Sequence, residues 1–161
     1  MSLKKGDVLF LKVHLIVYQL QNVIDPISTI YQQIFSKWNH CSIQVDNIVI
    51  HFYDDLIVPR WTEINVDLKL KHPRESLYIG ETTKTLSEVR EFTNSLPNMR
   101  SIDYIQRYLS PLTLFKFPKK HNDCIHKCSQ TLQFMFGCDI ITSTPDKLLE
   151  YMKEYNANSR T

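Results

Sequence analysis

Glycine is scarce in this chain. Only Gly6, Gly80 and Gly137 occur among 161 residues, and no repeat, low-complexity run or flexible linker is present. We therefore predict a single domain over residues 1–155, followed by a frayed tail over residues 156–161. A hydrophobic content of 43% with 22% charged residues excludes an intrinsically disordered chain and allows one sizeable core.

Long apolar runs and a strong charge of one sign are also missing. The stretch from Val8 to Val17 is interrupted by Lys12 and His14 and is too short to span a bilayer. No signal peptide follows Met1. The net charge of +2 is too small to indicate a nucleic-acid partner. We expect a cytoplasmic protein without a transmembrane segment.

The cysteines do not form a disulfide framework. Three of the four, Cys124, Cys128 and Cys138, fall within fifteen residues of each other. This crowding suits a disulfide network poorly in a chain of this length, and without an export signal we expect reduced thiols.

The pattern of secondary structure predicts an α+β fold with an antiparallel sheet. Asp46-Asn47 is a two-residue hairpin signal between strands over 41–45 and 48–52. Thr144 and Pro145 are typical of a helix N-cap and first helical position. Further strands are predicted over 8–13, 61–70 and 76–79, and further helices over 25–35, 87–96 and 102–109.

Cys128 is the first candidate nucleophile. Apolar residues follow it at helical spacing (Leu132, Met135 and Phe136), and Gly137 is a plausible end of the helix. We therefore predict that the helix begins at Cys128. A thiol at a helix N-terminus has a lowered pKa, because the macrodipole and the free N–H groups favour the thiolate.

Two histidines on the predicted hairpin are candidate partners for this thiol. If Asp46-Asn47 is the turn, Ser42 lies opposite His51, and His40 lies diagonally beyond on the same face. The two imidazoles can then form a hydrogen bond. This is the arrangement of a general base and the group that orients it.

Zinc binding is a second chemical interpretation. His121, Cys124, His126 and Cys128 are suitable ligand types, but they crowd into eight residues, whereas structural zinc sites draw ligand pairs from two separated loops. Cys124 and Cys128 alone could share a metal as an i, i+4 pair. We expect neither a metal nor a cofactor, and a small zinc-binding module stays open as an alternative.

Five segments occur in a recognisable order: Lys4-Lys5-Gly6-Asp7-Val8-Leu9, Asn39-His40-Cys41-Ser42-Ile43, Ile48-Val49-Ile50-His51-Phe52, Cys128-Ser129-Gln130-Thr131-Leu132 and Thr144-Pro145-Asp146-Lys147-Leu148-Leu149. Together they resemble the permuted branch of the NlpC/P60 superfamily of papain-like thiol hydrolases. That branch includes YiiX-like and lecithin:retinol acyltransferase-like enzymes and some phage proteins. Two features depart from the pattern. Asp46-Asn47 stands where the family has glycine, and Asp123-Cys124-Ile125-His126 resembles the nucleophile motif of the acyltransferase-like members.

The resemblance implies a circularly permuted papain-like fold, in which a meander or small barrel packs on the nucleophile helix. It also implies a Cys–His–His triad and an acyl-enzyme intermediate. The substrate would be a peptide, amide or lipid-like ester or thioester, and the source would be a phage or a bacterium. Periodicity favours Cys128 as nucleophile with His40 and His51, and Cys124 is the alternative nucleophile. A catalytically inactive binding protein on the same fold is the rival interpretation.

Overall fold

The computed structural model describes residues 9–20, 37–53, 58–97, 124–140, 142 and 144–160. These residues form an α+β structure with one five-stranded antiparallel sheet and four helices, which confirms the predicted class. The predicted helices over 25–35 and 102–109 lie outside the described residues. The elements in chain order are β1 (Leu11–Tyr18), β2 (His40–Val45), β3 (Ile48–His51), β4 (Arg60–Glu63), α1 (Ile64–Leu68), β5 (Arg74–Thr82), α2 (Leu86–Ser95), α3 (Cys124–Phe136) and α4 (Pro145–Ser159).

The β2–β3 hairpin has the predicted turn and register. Val45 pairs with Ile48, and Ser42 pairs with His51. Asp46 adopts a positive φ of 51°, which an aspartate tolerates in a tight turn. Its carboxylate accepts a hydrogen bond from the Lys12 backbone N–H at 2.8 Å, which ties the turn to β1. The register decides which side chains share a face, so it fixes the position of both histidines.

Strand β1 occupies the interior of the sheet, whose order is β4-β3-β2-β1-β5. It begins later than the predicted strand over 8–13 and continues to Tyr18. Val13, Leu15 and Val17 are fully buried on one face, and Ile16 and Tyr18 are buried on the other. The sequence of a strand covered on both faces is a continuous run of apolar residues rather than an alternation of apolar and polar residues.

The strand predicted over 61–70 is wrong beyond Glu63. The chain leaves the sheet there and forms the short helix α1. The alternating apolar residues Val66, Leu68 and Leu70 are about half exposed, at 47%, 54% and 53%. The buried residue of this segment is Asp67, whose tertiary hydrogen bonds override the strand-like pattern.

The main apolar core lies between one face of the sheet and the helices α2, α3 and α4. Helix α4 begins as predicted, with the Thr144 hydroxyl accepting a hydrogen bond from the Lys147 backbone N–H at 3.2 Å. It continues to Ser159 instead of fraying after Tyr155. The Asn156 side chain anchors this extension by donating a 2.7 Å hydrogen bond to the Tyr78 carbonyl.

The opposite face of the sheet is buried as well, but its chemistry is polar. Tyr18 pairs with His40 on one side and with Arg74 on the other, so these three side chains share this face. Ser42 and His51 lie on it too, because they pair with each other one step further along. We call this surface the polar face and the surface under the helices the apolar face.

Candidate active site

Helix α3 already includes Cys124, so the predicted helix start at Cys128 is wrong. Cys124 stands at the first residue of the helix as described, and Cys128 lies one turn further on. Both thiols are buried, with exposures of 7% for Cys124 and 0% for Cys128. Cys128 therefore lies at least one turn away from the helix N-terminus, where the effect of the macrodipole on a thiol is weaker.

Leu132 and Met135 are buried as the periodicity predicts, but periodicity does not separate the two thiols because polar residues of α3 are buried as well. Thr131 is fully buried, and its hydroxyl donates a 2.7 Å hydrogen bond to the Lys127 carbonyl. Ser129 donates in the same way to the Ile125 carbonyl at 2.8 Å. A hydroxyl that donates a hydrogen bond to a carbonyl of its own helix can be buried at little cost in free energy. The face that contains Cys124, Cys128 and Thr131 consequently packs on the sheet, although the sequence pattern gives it little apolar character.

Gly137 ends α3 as predicted. Its φ of +69° is a left-handed conformation that glycine adopts without strain, and its N–H donates to the Gln133 carbonyl at 2.8 Å.

His40 and His51 meet on the polar face as the hairpin register predicts. His40 Nε2 lies 3.3 Å from His51 Nδ1, and the two rings are within 13° of parallel. They are 4% and 3% exposed. The Tyr53 ring lies nearly parallel to both, with centroid distances of 5.0 Å to His40 and 5.3 Å to His51. The packing around this pair therefore fixes the orientation of each imidazole.

Cys124 reaches this histidine pair at the end of β2. Its thiol interacts with Cys41 and with His40, two consecutive residues whose side chains lie on opposite faces. His40 is the first residue of β2, so its ring is accessible to α3 from the end of the strand. The structure thus brings together Cys124, His40 and His51.

The environment of Cys124 favours the neutral thiol. The hydrogen bond with Cys41 and the burial of the side chain raise the pKa of the Cys124 thiol well above its usual value. The contact with His40 acts in the opposite direction. A base that removes the proton during attack is therefore needed for nucleophilic chemistry at this sulfur.

The sequence analysis missed Asp67, which lies beyond the histidine pair. This carboxylate is 0% exposed, and its Oδ1 lies 2.7 Å from His51 Nε2. Its Oδ2 accepts hydrogen bonds from the Tyr18 hydroxyl at 2.9 Å and from Arg74 Nη1. Arg74 also donates to the Asp67 carbonyl at 2.9 Å. The only signal in the sequence is a lone carboxylate between apolar residues.

Charge and burial set the protonation of this network. Burial alone would raise the pKa of Asp67, but hydrogen bonds from Tyr18, His51 and Arg74 outweigh it and lower the pKa. Burial lowers the pKa of His51, against the attraction of Asp67. Burial also raises the pKa of Tyr18, which keeps its hydroxyl protonated. The resting network therefore contains an ionised Asp67, a neutral His51 and a neutral Tyr18.

The zinc interpretation gains no support from the residues that the structure describes. Within them, no group of three or more His, Cys, Asp or Glu side chains is arranged to hold a metal ion. Cys124, His126 and Cys128 lie on α3, whereas His121 lies outside the described ranges.

Comparisons with protein-family models, with curated proteins and with solved structures found no match for this chain. In the described part of the chain, no helix is both long and apolar enough to cross a membrane.

Proposed function

We propose that this protein is a cysteine-dependent hydrolase of amide, peptide, ester or thioester bonds, on a permuted papain-like fold. Cys124 is the nucleophile, His40 the general base and acid, and His51 the residue that orients His40. The observation that carries the proposal is the proximity of the Cys124 thiol to His40, whose Nε2 lies 3.3 Å from His51 Nδ1. The order of these residues along the chain, with both histidines before the cysteine, also agrees with the resemblance to the permuted NlpC/P60 branch.

The mechanism follows from the neutral thiol. As the Cys124 sulfur attacks the carbonyl carbon, His40 takes the thiol proton, and a tetrahedral oxyanion forms. His40 then gives this proton to the leaving group, which departs and leaves an acyl group on the sulfur. Water, deprotonated by His40, attacks the acyl-enzyme and releases the acid and the free thiol. A backbone N–H of α3 beside the nucleophile would contribute to the oxyanion hole.

Cys124 is taken as the nucleophile because His40 acts on its thiol. Cys128 is a further turn inside the apolar core. It remains the alternative nucleophile that the experiment below tests.

A catalytically inactive binding protein on the same fold is the second candidate. The observation that favours it is the burial of the site: Cys124, His40 and His51 are all less than one-tenth exposed. With the site buried to this extent, a substrate has little direct access to the sulfur.

The test compares Cys124→Ala with the matched variant Cys128→Ala. The first measurement is the rate of iodoacetamide labelling of each cysteine as a function of pH, with the modified residue identified by mass spectrometry. The second is hydrolysis of simple p-nitrophenyl ester, thioester and peptide anilide probes. We expect turnover of at least one probe class to be abolished in Cys124→Ala and largely retained in Cys128→Ala.

The outcomes separate the candidates. Loss of turnover in Cys128→Ala alone would transfer the nucleophile to Cys128. If no probe is turned over and neither cysteine is labelled faster than in the denatured chain, the hydrolase proposal is wrong and the binding protein is favoured. Circular dichroism of both variants checks that the fold is retained.

A further inference from the structure

The Asp67 carboxylate accepts hydrogen bonds from three side chains, more than an aspartate with a purely structural role on a surface helix requires. His51, Tyr18 and Arg74 all direct N–H or O–H groups to its two carboxylate oxygens, and the residue is fully buried. These donors come from β3, β1 and β5, three strands of the sheet, whereas Asp67 itself comes from α1. An ionised carboxylate can only accept hydrogen bonds, so every one of these partners must hold a proton toward it.

This requirement determines the tautomer of His51. The ring nitrogen that faces Asp67 is Nε2, at 2.7 Å, so Nε2 carries the proton. His51 is neutral because it is buried, so its Nδ1 has no proton and can only accept. The tautomer of a buried histidine is commonly set by the hydrogen bond that its other nitrogen makes.

The tautomer of His51 in turn determines which ring nitrogen of His40 is the donor. Its Nε2 lies 3.3 Å from the bare His51 Nδ1 and must therefore be the donor of that hydrogen bond. A neutral imidazole carries one proton, so with Nε2 as the donor Nδ1 is the acceptor. Nδ1 is also the ring nitrogen left for the Cys124 thiol, since Nε2 is occupied by His51.

A second series of hydroxyls ends at the same carboxylate. Ser42 donates to the Tyr18 hydroxyl at 3.0 Å, and Tyr18 donates to Asp67 at 2.9 Å. Ser42, where the hydroxyl series starts, pairs directly with His51 across the hairpin. The hydroxyl series and the histidine series therefore run through neighbouring positions on the polar face. Because Tyr18 binds Asp67 Oδ2, Oδ1 is left for His51, and the two hydrogen bonds together hold the carboxylate in place.

We propose that Asp67 is a positioning residue that fixes the proton on Nε2 of both His51 and His40, so that His40 presents an unprotonated Nδ1 to Cys124. The tautomer part of this inference stands on the hydrogen-bond geometry and on the burial of His51. Its catalytic consequence rests on the proposed hydrolase function.

The direct test is long-range proton–nitrogen correlation NMR on the full chain with labelled histidine, which reports which ring nitrogen carries the proton. We expect both His40 and His51 to be Nε2–H tautomers at neutral pH in the wild-type protein. In Asp67→Asn the amide can donate as well as accept, so we expect a mixture of tautomers at His51 and at His40. The matched control is Asp46→Asn, the same substitution in the hairpin turn, which should leave both rings unchanged.

Reactivity gives the second readout. Asp67→Asn should slow Cys124 alkylation and probe turnover on the order of 10²- to 10⁴-fold, the range that general acid–base catalysis contributes. It should also move the acid limb of the rate–pH profile to lower pH, because loss of the Asp67 charge makes protonation of the hydrogen-bonded His40–His51 pair less favourable. Loss of packing alone would lower the rate without moving this limb.

An Nδ1–H tautomer at either ring in the wild-type protein would overturn the inference, whether or not Cys124 proves reactive. Unchanged tautomers and an unchanged pH profile in a folded Asp67→Asn variant would overturn it too. If Asp67→Asn does not fold, the wild-type spectrum alone decides. Failure of the hydrolase proposal is seen separately, as unreactive cysteines in a protein whose histidine tautomers are still as expected.

Discussion

The two faces of the sheet are both buried, but they are stabilised by different physical means. On the apolar face, Val13, Leu15 and Val17 of β1 pack with residues of the helices, and each is fully buried. On the polar face, Tyr18 and His51 are equally inaccessible, but each needs a specific partner at a specific distance. Among the described residues, a small apolar cluster of Ile16, Tyr18 and Val49 also lies on this face.

This contrast explains where chemistry can be placed. Dispersion and hydrophobic burial have little directionality, so an apolar face positions no proton. Buried hydrogen bonds in a medium of low dielectric constant are directional and costly to break, so they can hold an imidazole in one tautomer. The proposed site lies at the end of β2, where His40 on the polar face and Cys41 on the apolar face are consecutive residues and Cys124 contacts both.

The largest stability effect is expected on the apolar face. Leu15→Ala should lower the free energy of unfolding by about 2–5 kcal/mol, because it leaves a cavity in a fully buried position. The matched control is Leu70→Ala, at a position that is 53% exposed, where the loss should stay within about 0.5 kcal/mol. Urea denaturation of both variants measures the difference. Similar losses in the two variants would contradict the assignment of the core to this face.

A smaller but more specific effect is expected on the polar face. Tyr18→Phe removes a hydroxyl that donates to Asp67 and accepts from Ser42, and it should cost about 1–3 kcal/mol because two buried polar groups lose a partner. Ser42→Ala should cost less. The double variant should lose less than the sum of the two, since Ser42 is no longer left without its acceptor. Additive losses in denaturant unfolding would argue against the hydroxyl series.

The hairpin shows how much of this site the sequence predicts. Asp46-Asn47 specified the turn, the turn specified the register, and the register placed His40 and His51 on one face. All of these are local relations, which short-range pattern and turn chemistry determine. The predicted class of fold followed from the same kind of evidence.

Asp67 and Cys124 show what the sequence could not supply. The period-two pattern over 61–70 predicted a strand, but the buried hydrogen bonds of Asp67 with residues of three strands stabilise a turn of helix instead. On α3 the hydroxyls of Ser129 and Thr131 bond within the helix, so a face with polar residue types is buried. The helix at Asp67 depends on partners distant in the chain, and the buried face of α3 depends on its packing against the sheet. The periodicity of residue types reports neither.

The last prediction uses pH to separate the two faces. Burial lowers the pKa of His51, so below its unfolded pKa of about 6.5 the unfolded chain binds a proton that the folded chain does not. The unfolding free energy should therefore fall with decreasing pH, by at most about 1.4 kcal/mol per pH unit for this one proton. Asp67 acts in another window, because its lowered pKa contributes stability that is lost only below about pH 4.

Denaturant unfolding between about pH 7 and pH 5 measures this slope. His51→Gln keeps a neutral polar side chain but cannot titrate, so its slope should be shallower than that of the wild-type protein. Leu15→Ala weakens only the apolar face, and it should lower the unfolding free energy by the same amount at both pH values. An unchanged slope in His51→Gln would show that His51 is not held neutral by burial, and the contrast between the two faces would then lose its electrostatic basis.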